Sequence, residues 1–169
     1  YFTIQDEASQ LIAHMVAPEQ GQHVADSCSG PGGKLSHLYE IGAGTLSLTA
    51  IEKDSKQLEK AQKTMRRLGH DNLTWVHSSF LDWEATTKQD KLLLDAPCTG
   101  LGILRRHPEG KWIKTKQAIN TMATKQWDLI QHALKQIKTG GELIYSVCSF
   151  EPEESDAHAR NLVKHYGDQ

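Results

Sequence analysis

Short apolar runs recur along the chain, separated by longer segments in which apolar and polar positions alternate with a helical period. The runs are rich in Val, Ile, Leu or Thr and are bounded by Gly, Asp or Pro, which is typical of buried strands. We predict five strands, at residues 23–28, 45–51, 73–77, 91–96 and 142–148.

The intervening segments place apolar side chains three or four residues apart, as amphipathic helices do. We predict a helix over Ser55–Leu68 that ends at Gly69, with Asp54 as its N-cap. Further helices are predicted at residues 6–16, 121–138 (ending at Gly140-Gly141) and 153–166, and after the glycine loop described below. Strands that alternate with helices indicate an α/β fold, a parallel sheet with helices on both faces.

Length and composition indicate one globular domain, since the chain has 169 residues, of which 38% are hydrophobic and 24% charged. No stretch approaches the roughly 20 apolar residues of a membrane span, and the start does not have the pattern of a signal peptide. The three cysteines are too widely spaced for a disulfide framework or a zinc site. We therefore expect free thiols, no metal and a reducing, cytoplasmic location.

A glycine-rich loop follows the first predicted strand. It does not fit a phosphate-binding P-loop, because Cys28 and Leu35 stand where that motif needs Gly and Ser or Thr. It fits the dinucleotide fingerprint poorly, because Leu35 also stands at the third glycine. The remaining interpretation is an S-adenosylmethionine loop of class I. Glu52 supports it, because an acid at the end of the second strand, about 20 residues on, can bind ribose hydroxyls.

Two cysteines follow two later strands of the predicted sheet. The fourth strand leads into Asp95-Ala96-Pro97-Cys98, and the fifth leads into Cys148. Because the carboxyl ends of parallel strands meet at one edge, we expect the two thiols to converge near a single site. There Asp95 could bind the polar edge of a substrate, and Pro97 would stiffen the loop that carries Cys98.

Six motifs along the chain carry a family resemblance. They are Gln5-Asp6-Glu7-Ala8-Ser9, Pro31-Gly32-Gly33-Lys34, Asp95-Ala96-Pro97-Cys98, Arg105-Arg106-His107-Pro108 with Lys111-Trp112, Lys138-Thr139-Gly140-Gly141, and Tyr145 to Ser149 with Pro152-Glu153-Glu154. With these motifs in this order, the chain resembles the Sun family of RNA (cytosine-5) methyltransferases, in particular the bacterial enzymes that modify small-subunit ribosomal RNA. The resemblance implies a Rossmann-like class I fold, S-adenosylmethionine as cofactor, S-adenosylhomocysteine as product, and ribosomal RNA as partner.

The resemblance also implies a role for each group at the strand ends. Carbon 5 of cytosine is a poor nucleophile until a thiolate adds to carbon 6, so covalent catalysis is the natural route. Cys148 would be that nucleophile, and Cys98 would help to release the methylated product. Asp95 would bind the exocyclic amine and ring nitrogen 3 of the cytosine. Lys34 would lie near the base and help to keep Cys148 ionised.

The implied cofactor site departs from the family pattern at three places. Ser29-Gly30 replace the usual Ala-Ala, Glu52 stands for the usual Asp, and Ser79 or Asp82 takes the place of the usual adenine-binding Asp. Beside the nucleophile, Val147 replaces the usual Thr. The full set of expected cofactor contacts is Cys28, Ser29, Gly30, Pro31, Gly32, Gly33, Lys34, Glu52, Ser79 and Asp95.

A basic segment, residues 105–116, follows the Cys98 loop, although the formal net charge of the chain is only −2. Such a run is either a solvated face or a contact for RNA phosphates, and its position favours RNA. We expect RNA contacts from Arg105, Arg106, Lys111 and Trp112.

The resemblance implies seven strands, whereas five are predicted here. We therefore interpret residues 1–169 as a single catalytic core without the N-terminal RNA-binding domain and the last two strands. We expect a monomer at full length, and a fifth strand that is an exposed edge able to self-associate. Two alternatives stay open: a DNA cytosine methyltransferase that uses Cys98 as nucleophile, and a cofactor-binding scaffold without catalysis.

Overall fold

The computed structural model describes residues 2–167. Its strands are β1 (His23–Asp26), β2 (Ser47–Glu52), β3 (Thr74–His77), β4 (Gln89–Asp95) and β5 (Ile137–Ser146). Its helices are α1 (Glu7–Val16), α2 (Gly33–Ile41), α3 (Ser55–Leu68), α4 (Gly110–Ile113), α5 (Lys116–Gln136) and α6 (Asp156–Tyr166). Within this part of the chain, no helix is both long and apolar enough to cross a membrane.

The five strands form one parallel sheet, as predicted, and their order in the sheet is β3-β2-β1-β4-β5. The strand order reverses between β1 and β4, and ligands of open α/β sheets bind in the crevice at such a point. In the described sheet β5 pairs only with β4 and forms one end of the strand order.

Alternate strand residues point to opposite faces of the sheet, and each face carries its own core. On one face Leu48 and Leu93 pack with residues of α1, α2 and α3. On the other face Ile51 and Leu92 pack with Leu129 and its neighbours on α5. Helices therefore cover both faces, as the alternating pattern predicts.

Helix α3 has the predicted bounds because its signals are local. The Asp54 carboxylate accepts hydrogen bonds from the backbone N–H groups of Lys56 and Gln57, which confirms Asp54 as the N-cap. At the other end Gly69 takes a left-handed conformation, with φ of +79°, which glycine adopts without strain.

The junction of α5 and β5 differs from the prediction. Helix α5 begins at Lys116, capped by Thr115, and ends at Gln136, so residues 137–141 already belong to β5. Their pairing with β4 is irregular, because the register passes from Gln89 opposite Ile137 to Lys91 opposite Glu142. This bulge brings Gly141 so close that a Cβ there would lie 2.9 Å from the Asp90 carbonyl oxygen.

Strands β1, β4 and β5 also end earlier than predicted, at Asp26, Asp95 and Ser146. The three cysteines therefore lie in loops beyond the strand ends. These loops form the site.

Candidate active site

Two cavities lie side by side at the carboxyl ends of the strands. The larger, of about 410 Å³, extends from the glycine loop past β2 to the loop after β3. The smaller, of about 210 Å³, lies beside the Cys148 loop and the start of α1. Asp95 lines both of them. A third and more voluminous cavity, of about 690 Å³, includes His23, Ser47 and Gln89 near the amino ends of strands and holds none of the predicted site residues.

Only part of the predicted cofactor set lines the larger cavity. Cys28, Glu52, Ser79 and Asp95 do so, and the walls also include Lys53, Phe80 and Leu129. Asp82 is exposed and is not part of the wall, whereas Ser79 and its neighbour Ser78 both line the cavity. The predicted residues that do not line this cavity are Ser29, Gly30, Pro31, Gly32, Gly33 and Lys34, and Lys34 lines the smaller cavity instead.

The glycine loop shapes the larger cavity indirectly. Gly30 and Gly32 both have positive φ, of 51° and 88°, so the turn needs residues without a side chain. Glu52 holds this turn in place, because its Oε2 accepts a hydrogen bond of 2.8 Å from the Gly30 N–H. The Ser29 hydroxyl donates to the Asp26 carbonyl oxygen at 2.9 Å and closes the loop onto β1.

Asp26 is a buried acid that the sequence analysis did not include among the site residues. Its side chain is 1% exposed, and neither carboxylate oxygen has a hydrogen-bond partner of normal geometry among the described residues. Burial raises the pKa of Asp26 to about 7; the Asp95 charge adds to this rise and the Lys34 ammonium opposes it. The signal in the sequence is its position, as the last residue of a buried strand before a glycine loop.

The two thiols converge as predicted. Cys98 Sγ and Cys148 Sγ lie 3.2 Å apart, with Cys98 half-buried and Cys148 exposed. The hydrogen bond from the Cys98 thiol lowers the pKa of Cys148 to about 7, against the opposing effects of burial and of the Asp95 charge. The same contact raises the pKa of Cys98, and burial raises it further. Cys148 is therefore the thiol that ionises near neutral pH.

The third cysteine has a different environment. Burial raises the pKa of Cys28 to about 12, and the negative charges of Asp26 and Glu52 add to the effect. Cys28 is thus a neutral thiol in the wall of the larger cavity.

Asp95 is oriented by two hydrogen bonds. Its Oδ2 accepts from Lys34 Nζ at 2.5 Å, and its Oδ1 accepts from the Ser146 hydroxyl at 2.7 Å. Lys34 and Cys148 both line the smaller cavity. The smaller cavity thus holds an ammonium, a carboxylate and a thiol of low pKa. Among residues 2–167 no group of three or more side chains is arranged to hold a metal ion.

The basic segment forms irregular turns and the short helix α4 beside the smaller cavity. Arg105 is exposed, and Arg106 forms an ion pair with Asp6. Trp112 is 81% exposed, and Lys111 Nζ lies 5.4 Å from the centre of a Trp112 ring. An aromatic ring and several cations are therefore presented together on the surface.

Comparison with known proteins identifies a family and relatives that this chain resembles. The family model described as 16S rRNA methyltransferase RsmB/F matches residues 13–168. Ribosomal RNA small subunit methyltransferase B of Shewanella oneidensis is 35% identical over 159 residues, which are 90% of this chain and 36% of that protein. The chain thus spans little more than a third of the length of that curated relative.

Two solved structures from Pyrococcus horikoshii resemble the whole fold. NSun6, solved with SFG, has a TM-score of 0.90 at 30% sequence identity, covering 98% of this chain and 42% of its own. A methyltransferase homologue has a TM-score of 0.87 at 33% identity, covering 97% of this chain and 52% of its own. These likenesses confirm the Rossmann-like class I fold that the sequence motifs imply.

Proposed function

Because this chain belongs to the RsmB/F family of 16S rRNA methyltransferases, we propose that it transfers the methyl group of S-adenosylmethionine to carbon 5 of a cytosine in ribosomal RNA. The observation that carries the proposal is the pair of thiols, whose sulfur atoms lie 3.2 Å apart in loops beside Asp95. Asp95 lines both the larger and the smaller cavity and so connects the two. The name of the Shewanella relative, a small-subunit ribosomal RNA methyltransferase, supports the choice of substrate.

The residues around the larger cavity fit the cofactor. Its volume of about 410 Å³ is in the range of small-molecule sites. Glu52 would accept hydrogen bonds from the ribose hydroxyls, and Ser79 with Phe80 and Leu129 would surround the adenine. Asp26 lies buried beneath the glycine loop without a hydrogen-bond partner of normal geometry among the described residues, and its carboxyl group would suit the positive end of an amino acid. When bound, the cofactor supplies an electrophilic methyl group.

The smaller cavity would take the cytosine, which must leave any stack to enter it. Asp95 would accept a hydrogen bond from the exocyclic amine and would contact ring nitrogen 3 through a shared proton, while the Lys34 ammonium balances the carboxylate charge. The Cys148 thiolate would form a bond to carbon 6, which moves the electron pair of the 5,6 double bond onto carbon 5. That carbon would then form the bond to the methyl group, while the bond between this methyl group and the cofactor sulfur breaks and its electron pair stays on sulfur, which leaves S-adenosylhomocysteine.

Release of the product needs a base and restores the thiolate. Removal of the proton from carbon 5 re-forms the double bond, and the electron pair of the carbon–sulfur bond returns to Cys148. The Cys98 thiol is poised for this step by its environment. Its pKa is raised by the neighbouring Cys148, and this effect is lost once the Cys148 sulfur is an uncharged thioether. Formation of the covalent bond would therefore make Cys98 a stronger acid than before, although burial still raises its pKa, and Cys98 would act as the base or through a base that accepts the proton.

Arg105, Arg106, Lys111 and Trp112 would hold the RNA strand beside the smaller cavity. Exposed cations neutralise phosphates, and an exposed indole ring stacks on unpaired bases. We also propose that the target nucleotide is selected by regions of the longer relatives that the match to this chain does not cover.

Trapping on RNA that contains 5-fluorocytosine tests the proposal in the full-length protein, because fluorine at carbon 5 blocks the release step. The covalent adduct should form with the parent protein, persist in Cys98→Ser and vanish in Cys148→Ser. Loss of the adduct in Cys98→Ser alone would indicate the mechanism of the DNA enzymes. Binding of S-adenosylhomocysteine by calorimetry, without an adduct or methyl transfer, would instead indicate a cofactor-binding scaffold.

A further inference from the structure

The Glu154 carboxylate is buried between the two loops that carry the thiols. Its side chain is 0% exposed. Oε1 accepts hydrogen bonds from the Thr99 N–H at 2.9 Å and from Gln126 Nε2 at 3.0 Å. Oε2 accepts a further bond from the Thr99 hydroxyl at 2.5 Å. These donors are amide and hydroxyl groups, and within residues 2–167 no Lys or Arg side chain forms an ion pair with this carboxylate.

These hydrogen bonds enclose Cys98 on both sides. Thr99, which follows Cys98, is bound to Glu154 through its backbone and its side chain. Pro97, which precedes Cys98, is held by the same Gln126 amide, because Gln126 Nε2 also donates to the Pro97 carbonyl oxygen at 2.9 Å. Of the two residues that flank Cys98, Thr99 is therefore bound to the Glu154 carboxylate directly and Pro97 is linked to it through Gln126.

The same network reaches the loop of the second thiol. The Thr99 hydroxyl oxygen lies 3.3 Å from the hydroxyl oxygen of Ser149, which follows Cys148. The Tyr145 hydroxyl, on the strand that leads to Cys148, donates to the Glu154 carbonyl oxygen at 2.8 Å. Glu154 thus joins two loops that belong to different strands.

The charge on Glu154 is retained despite its burial. Burial alone would raise the pKa of Glu154, but the hydrogen bonds from Ser149, Thr99 and Gln126 outweigh it, and the pKa lies below its ordinary value. A buried carboxylate costs free energy unless its oxygens are fully bonded, and leaving its donors unpaired would also be costly. The loops are therefore tied to one position for as long as the carboxylate is present.

We infer that Glu154 is a positioning residue that holds the Cys98 and Cys148 loops at contact distance. It does not line the smaller cavity and would act only through the two loops. The inference rests on the proposed function in one respect, namely that the two thiols carry out the chemistry. Loss of the carboxylate should let the loops move apart, so that Cys148 loses the hydrogen bond from Cys98 that stabilises its thiolate.

The test is the pH dependence of Cys148 alkylation by iodoacetamide in this chain, with the modified cysteine identified by mass spectrometry. In Glu154→Gln the new NH₂ group would face the donor groups of Thr99 or Gln126. We therefore expect the midpoint pH of Cys148 alkylation to rise by about one unit or more, towards the pKa of an ordinary thiol. Glu153→Gln is the matched control. It removes the same charge one residue away, where Glu153 pairs with Lys116 at the surface, and should leave the midpoint unchanged.

A second variant covers the case in which Glu154→Gln does not fold. Thr99→Val removes one hydroxyl at nearly constant volume and should give a smaller rise of the midpoint in the same direction. A folded Glu154→Gln or Thr99→Val protein with the parent midpoint would overturn the inference. Alkylation needs neither RNA nor cofactor, so failure of the trapping experiment and failure of this one are distinguishable.

Discussion

Asp26→Asn should make the stability of this protein less dependent on pH. The Asp26 carboxyl is buried, has no hydrogen-bond partner of normal geometry among the described residues, and has a pKa raised from 3.8 to about 7. A carboxyl whose pKa is higher in the folded state binds its proton more tightly there than in the unfolded chain. Its contribution therefore favours folding at low pH and is lost as the pH rises from about 4 to about 7.

The size of this effect follows from the shift. The difference between the two pKa values is roughly three units, and at ~1.36 kcal/mol per unit the loss approaches about 4 kcal/mol above pH 7. The amide side chain of the Asp26→Asn variant would stay neutral throughout, so only the parent protein should show this loss. Burial of an amide without partners has its own cost, but that cost does not change with pH.

Urea unfolding between pH 5 and pH 8 measures the effect as a difference between the two proteins. The stability of Asp26→Asn relative to the parent should increase from pH 5 to about pH 7 and level off towards pH 8. Asp54→Asn is a suitable control, because backbone hydrogen bonds from Gln57 and Lys56 lower the pKa of Asp54 below 3.8; its contribution to stability is lost only in more acidic solution, so the difference from the parent should be constant between pH 5 and pH 8. A constant difference between Asp26→Asn and the parent would refute the reasoning, since it would mean that Asp26 is already ionised at pH 5.

Three further predictions concern the two cavities and the basic segment. Glu52→Gln should weaken binding of S-adenosylhomocysteine about tenfold or more in calorimetry, because a charged acceptor is lost, while unchanged affinity would exclude Glu52 from the cofactor site. Gly102→Ala should slow alkylation of Cys148 and lower stability by about 1–3 kcal/mol in urea unfolding, because the added Cβ would lie 2.9 Å from the Cys148 carbonyl oxygen; a parent-like rate would show that the loop adapts. The double variant Arg105→Gln and Lys111→Gln should reduce the salt dependence of RNA binding by a slope of about 1.4, at ~0.7 per phosphate contact, and an unchanged slope would argue for a solvated face.

The convergence of the thiols could be predicted because it depends on topology. Once two strands are parallel neighbours, the residues after their carboxyl ends must share an edge, and Cys98 and Cys148 follow β4 and β5 by a few residues each. The bounds of α3 were equally accessible, since Asp54 and Gly69 act on the backbone next to them.

The supporting residues could not be predicted in the same way. Glu154 meets Thr99 across 55 positions and Gln126 across 28, and no local pattern links an acid to such distant donors. Gly140-Gly141 misled the prediction of where α5 ends, because a glycine pair can follow the end of a helix as readily as it permits a bulge in a strand. The close approach of Asp90, which decides between the two, becomes visible only in the folded sheet.

The bulge between β4 and β5 determines where the sheet can accommodate an insertion or a deletion. All the irregularity in the pairing of β4 with β5 lies between Gln89 and Lys91, at the end remote from the thiols. From Lys91 opposite Glu142 to Asp95 opposite Ser146, the pairing advances without interruption. An inserted or deleted residue near Gly140 would change only the size of the bulge, whereas the same change within the uninterrupted run would shift one thiol against the other. The amino end of the β4–β5 pair can therefore accommodate a change of length, whereas the carboxyl end cannot. The chemistry proposed for this protein takes place at the carboxyl end.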